Sequence, residues 1–87
     1  MFTVNVTQDK LDEGEPGNSC ACPVALAILQ DVPDVEHVQV DDSIQIRFFT
    51  GDTVRIHTPE PVAKLISDFD NGVRVSPFSF ELHHPDL

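Results

Sequence analysis

Residues 2 to 6, Phe2-Thr3-Val4-Asn5-Val6, alternate apolar and polar side chains. That is the period of a half-buried strand, and it places Val4 and Val6 on one face. Thr7 then opens Thr-Gln-Asp-Lys-Leu-Asp, where a hydroxyl cap and an early acid predict a single helical turn that stops at Gly14. Glu15-Pro16-Gly17-Asn18-Ser19 is loop chemistry. Pro23 suits a first helical position, where its missing N–H is not needed. The spacing predicts a helix over residues 23 to 30, ended by Pro33. Its run Val24-Ala25-Leu26-Ala27-Ile28-Leu29 is apolar all round, the mark of a helix buried on most sides.

Three short alternating segments follow, at residues 36 to 40, 44 to 48 and 54 to 57, separated by Asp41-Asp42-Ser43 and Thr50-Gly51-Asp52. They read as an antiparallel meander. Opposed residues on neighbouring strands point to the same face. Keeping the apolar sets together therefore predicts pairing of Val40 with Ile44 and of Phe48 with Val54, and hairpin loops with odd residue counts. One face then carries Val38, Val40, Ile44, Ile46, Phe48, Val54 and Ile56. The other carries His37, Arg47 and Arg55 in one cross-strand row and Gln39, Gln45 and His57 in the next.

Pro59 and Pro61 open a second helix in which Val62, Leu65, Ile66 and Phe69 keep the spacing of an amphipathic face, and Asn71-Gly72 supplies its left-handed stop. Phe78, Phe80 and Leu82 alternate again as a last strand, with Ser79 and Glu81 on its far side. The predicted fold is a single α+β domain over residues 1 to 87. It has an antiparallel sheet, made of a three-strand meander plus N- and C-terminal strands, packed on two helices. An open edge on the last strand could pair with a second copy, giving a homodimer.

Composition narrows the function classes. At 87 residues the chain builds one core. A ligand cleft of about 300 Å³ or more would take a large share of it. A binding protein is expected, not an enzyme, with no cofactor. No apolar stretch approaches the roughly 20 residues that span a bilayer, and Met1 to Val6 lacks the features of a secretory signal. The expected location is the cytoplasm. Fifteen acids against five Lys and Arg give a net charge of −10, which opposes contact with nucleic acid and anionic membranes. From Leu11 to Ile46 there are eight acids, Asp12, Glu13, Glu15, Asp31, Asp34, Glu36, Asp41 and Asp42, and no Lys or Arg.

Three stretches carry a resemblance: Cys22-Pro23-Val24-Ala25-Leu26-Ala27, residues 62 to 72 from Val62 through Asn71-Gly72, and Val75-Ser76-Pro77-Phe78-Ser79-Phe80-Glu81-Leu82. Together they resemble small bacteriophage-encoded proteins of uncharacterised function, particularly those of actinobacteriophages, over nearly the whole chain. The matching positions are mostly core and capping residues. The resemblance implies a phage origin, a place in the host cytoplasm and a shared fold, and transfers no catalytic residue.

Several groups could carry chemistry. Cys20-Ala21-Cys22 precedes a helix start, where backbone N–H groups lower a thiol pKa, so a reactive thiol or half a metal site is one expectation. A metal would need further ligands from His37, His57, His83 or His84, none of which has the usual paired spacing. No metal site is assigned, and Cys22 also reads as a small, partly buried neighbour of the cap. The Gly14 to Ser19 loop could cradle a phosphate but lacks a phosphate-loop Lys and carries Glu15. His83-His84-Pro85-Asp86 reads as a solvated tail.

Two surfaces remain. His37, Gln45, Arg47, Arg55 and His57 form a polar sheet face that could hold a phosphate-bearing ligand or an acidic patch. The same face of any half-covered antiparallel sheet would be polar. The eight acids offer a surface for a basic protein partner and could imitate a nucleic-acid backbone. The leading expectation is a non-enzymatic interaction protein that binds a host or phage macromolecule. The alternatives are an anion or nucleotide binder and a Cys/His metal protein.

Overall fold

The computed structural model describes residues 2–83. Along the chain run β1 (Phe2–Val6), α1 (Gln8–Glu13), α2 (Pro23–Asp31), β2 (Val35–Val40), β3 (Ser43–Phe48), β4 (Thr53–His57), α3 (Glu60–Asp70) and β5 (Phe78–Leu82). This is the mixed α+β, antiparallel arrangement that the alternation predicts. The strands form two sheets, β2-β3-β4 in sequence order and the pair β1-β5. β5 thus has β1 along one edge, with Val4 opposite Phe80 and Asn5 opposite Ser79. The Ser79 hydroxyl donates to Asn5 Oδ1 at 2.8 Å on the polar side of this pair.

The apolar helix α2 connects the sheets. It packs against β1 and β2, and also against α1 and α3. Val24, Ala25, Ala27 and Ile28 are sealed from solvent, and Leu29 alone of that run stands open, at 37% exposure. Val4 and Val6 meet this helix from one side, and Val38, Val40, Ile44 and Ile46 join the same core. α3 adds Val62 and Leu65 as buried residues and ends at Asn71. Gly72, at φ +76°, turns the chain so that the Val73 N–H donates to the Asp68 carbonyl at 2.8 Å.

Local details depart from the expected ones. Thr7 takes the N-cap position of α1, but its hydroxyl makes no cap bond. β2 contains a bulge between Val35 and His37, where Glu36 is the additional residue. The bulge lets Val35 and Val38 both turn inward although they are three positions apart.

The first hairpin pairs Val40 with Ile44, as the pattern requires. The second does not pair Phe48 with Val54. Val54 lies opposite Ile46 and Arg47 opposite Thr53. The loop is Phe49-Thr50-Gly51, closed by Phe48 N–H to Asp52 O at 2.9 Å, with Gly51 at φ +94°. Three-residue hairpins of this kind need a left-handed residue near the exit, which Gly51 provides. The shorter loop slides β4 by two residues, which preserves the faces because the side-chain period is two. It changes which polar residues are neighbours.

Candidate functional site

Slippage of β4 redraws the polar sheet face. The expected row His37, Arg47, Arg55 becomes His37, Arg47, Thr53. Arg55 lies opposite Gln45, in the row that continues across β3 to Gln39, while His57 lies opposite Ser43. His37, Gln45, Arg47, Arg55 and His57 still share the outer face, since each faces away from the buried set. Arg47 and Arg55 are therefore diagonal neighbours. Arg55 is steadied by Nε–H donation to Ser43 Oγ at 3.1 Å. Among the described residues neither arginine forms an ion pair. Glu36, His37, Gln39, Gln45, Arg47 and Thr53 line an open depression of about 390 Å³ on this face.

The acid-rich first half does not make one continuous surface. Asp41 and Asp42 border one depression, Asp34 a second, Glu36 a third and Asp31 a fourth. Asp12 and Glu13 lie on α1 and Glu15 in the loop after it. Some of these carboxylates are committed within the fold. Asp31 accepts the Asn5 N–H at 2.7 Å, and Glu15 accepts the Asn18 side-chain amide at 3.0 Å. The cause is topological: acids close in sequence fall on different elements, α1, the end of α2, β2 and the turns between them, and border different depressions.

One concentration does form, and it recruits a residue the sequence pattern passed over. A cleft of about 680 Å³ lies between the α1–α2 loop, the β2–β3 turn and α3. Its walls carry Asp41, Asp42 and Asp70, and its lining contains no Lys, Arg or His. Val40, Ala63 and Ile66 supply apolar floor. Asp70 comes from the second half of the chain, and its Oδ1 accepts the Gly17 N–H at 2.9 Å, tying the loop to the end of α3. Asp41 Oδ2 accepts from Gln39 Nε2 at 2.8 Å, and Thr58 Oγ1 donates to the Asp41 carbonyl at 2.8 Å. These bonds hold the turn in place.

The loop from Gly14 to Ser19 is not a phosphate cradle. Four of its five N–H groups are used within the protein: Gly14 to Lys10 O, Glu15 to Ala21 O, Gly17 to Asp70 Oδ1 and Asn18 to Glu15 O. The Cys20 N–H goes to Asn18 Oδ1 at 3.0 Å and the Ala21 N–H to Asn18 O. An anion would have to displace these partners in a site that already holds Glu15.

The two cysteines are free thiols in different environments. Cys22 is the N-cap residue of α2, and its Sγ accepts the Ala25 N–H at 3.4 Å. It is buried, and burial pushes its pKa above the ordinary thiol value despite the opposing backbone hydrogen bonds. The expected activation by the helix start is thus reversed at Cys22, because desolvation of the thiolate outweighs the N–H donors. A thiol kept protonated by folding stabilises the fold up to about pH 8.5, the ordinary thiol pKa, and this contribution is lost as pH rises toward the folded value. Denaturant midpoints should therefore fall above that pH in the wild type and fall less in Cys22→Ser, a comparison that urea titrations at stepped pH will check. Equal alkaline losses in both proteins would refute it.

Cys20 is exposed, and its Sγ lies 3.7 Å from His37 Nε2. Among the described residues, no group of three or more His, Cys, Asp or Glu side chains is placed to hold a metal ion. His57 lies at the far end of β4. His83 Nε2 sits 3.2 Å from Glu81 Oε2, and His84 to Asp86 fall outside the described residues. No helix is long and apolar enough to cross a membrane among those residues. Comparison with protein-family models, with curated proteins and with solved structures returns no match for this chain.

Proposed function

We propose that this chain is a non-enzymatic binding module that docks a basic segment of a host or phage protein in the cleft between the β2–β3 turn and α3. The observation that carries the reading is the gathering of Asp41, Asp42 and Asp70 around an apolar floor with no cation in the lining. A lysine or arginine side chain has the complementary build, an apolar stem with a charged head. The net charge of −10 would speed encounter with such a partner and make it sensitive to salt. The phage resemblance of the sequence fits a protein of this kind acting in a host cytoplasm on a macromolecule encoded by either genome.

A second reading, capture of a phosphate-bearing small ligand, is favoured by one observation. Arg47 and Arg55 stand without carboxylate partners among the described residues on the same open face as His37, Gln45 and His57.

One set of titrations separates the two. An arginine-rich peptide should bind the wild type at low salt and lose at least about tenfold in affinity to Asp41→Asn/Asp42→Asn, equivalent to roughly 1.4 kcal/mol. Asp9→Asn/Asp12→Asn, which removes the same charge elsewhere, should change it much less. Equal loss in both double variants would reduce the cleft to nonspecific charge attraction. A nucleoside triphosphate that binds the wild type and fails with Arg47→Gln/Arg55→Gln would favour the second reading instead.

A further inference from the structure

The Cys20 thiol and the His37 imidazole come from segments far apart in sequence and meet beside the sheet face. Cys20 is held there by two hydrogen bonds, one of its own and one made by its neighbour. Its own N–H donates to Asn18 Oδ1 at 3.0 Å, and the neighbouring Ser19 carbonyl accepts the Val40 N–H at 2.9 Å, fastening the loop to β2. His37 is fixed by the β2–β3 ladder, opposite Arg47. The result is an exposed thiol with its sulfur 3.7 Å from a nitrogen of His37, an imidazole that lines the same depression as Arg47, whose guanidinium forms no ion pair among the described residues. The second thiol, Cys22, is only 2% exposed and already serves as a cap, so it makes an internal control.

We propose that Cys20 is a modification site that forms mixed disulfides with low-molecular-weight disulfides bearing carboxylates, with His37 as its proton acceptor and Arg47 as the group that orients the incoming anion. The thiolate is the attacking species in such exchange. The Cys20 Sγ proton passes to His37 Nε2, and the sulfur electron pair attacks one sulfur of the small disulfide. A new S–S bond forms between Cys20 and that sulfur as the old one breaks. The departing thiolate takes the proton back from His37. One disulfide and one thiol are consumed and one of each is produced, so no further oxidant is needed. Arg47 adds no bond to the reaction. It favours a carboxylate-bearing reagent over a neutral one in a protein whose overall charge of −10 would otherwise repel anions.

The test uses the intact chain with two chromogenic probes, anionic dithiobis(nitrobenzoate) and neutral dithiodipyridine, and with glutathione disulfide followed by intact-mass measurement. In native conditions one thiol should react quickly, and Cys20→Ser should abolish that phase while leaving Cys22 to appear only on denaturation. His37→Gln should slow both probes by at least about tenfold, a modest share of what a positioned proton acceptor provides. His37→Asn serves as a second variant if the first does not fold. Arg47→Gln should slow the anionic probe by about threefold and leave the neutral probe unchanged, a difference that loss of structure would not produce. Glutathione disulfide should add one glutathionyl group to the wild type and none to Cys20→Ser. Unchanged rates in the His37 variants would overturn the proposal, as would a fast phase that survives Cys20→Ser. An Arg47 effect equal for both probes would overturn its orienting role.

Discussion

Replacing Ile28 with alanine should lower the unfolding free energy by about 3 kcal/mol, within the range of about 2 to 5 seen for aliphatic-to-alanine changes in closed cores. Ile28 is fully buried on α2, the helix that packs against both sheets and both other helices. A cavity there has few ways to collapse, because its walls belong to elements pinned by separate hydrogen-bond ladders. A domain this small has stability near the lower end of the usual range of about 5 to 15 kcal/mol, so the change removes a large fraction of it. At roughly 4 to 8 °C per kcal/mol for domains of this size, the midpoint should drop by about 12 to 24 °C in a thermal melt. Leu29→Ala, one residue along the same helix at 37% exposure, is the control and should lose well under half as much. The account of α2 as the core helix fails if Leu29→Ala proves the more damaging of the two.

Gly14→Ala should cost about 1 to 3 kcal/mol, the usual penalty of overpacking a closed contact. The reason is space, not backbone conformation. Gly14 sits at φ −65°, where any residue is comfortable. A Cβ placed on it would meet Cγ and Cδ of Pro23 at 2.6 Å and Pro23 N at 2.9 Å. The proline ring that starts α2 thus packs directly on the glycine that ends α1. Pro23→Ala removes both ring carbons in question while keeping a residue that helices accept. The double variant should accordingly recover part of the Gly14→Ala loss, with coupling of about 0.5 kcal/mol or more in a double-mutant cycle. Simple addition of the two losses in urea titrations would show that the contact is not the cause.

This contact illustrates a limit of reading the chain in one dimension. The positions of Gly14 as a stop and Pro23 as a start are legible as punctuation. Their close approach in space is not, because it depends on how the loop between them folds back. Within that loop, residues 14 to 19 were legible as a turn, and their lack of a phosphate-loop Lys already spoke against an anion cradle. The loop's N–H groups go to Ala21 O, Glu15 O and Asn18 within the loop and to Asp70 from the far end of the chain, a partner that no local pattern specifies.

The candidate sites divide the same way. His37, Gln45, Arg47, Arg55 and His57 could be placed on one face because strand alternation is strict and a two-residue slip leaves parity intact. Their mutual spacing could not, since it turns on whether the second hairpin closes with three residues or five, and Gly51 at φ +94° decides for three. Asp41 and Asp42 were visible as an acidic turn. Asp70 joins them only because α3 packs across the end of α2 and brings the two halves of the chain around one cleft. The Cys20 to His37 contact has the same origin, a loop laid against the β2 edge.

By itself the sequence determined the element order, the buried faces of the strands and of α3, the apolar nature of α2 and the strong negative charge. Each of these follows from side-chain periodicity or from counting, which are local properties. Only the tertiary structure decided that β1 and β5 pair with each other in a sheet separate from the meander, that β4 slides by two residues, and that burial raises the Cys22 pKa above its usual value. Those outcomes depend on which distant surfaces meet. That is governed by loop closure and desolvation, and neither leaves a periodic trace along the chain.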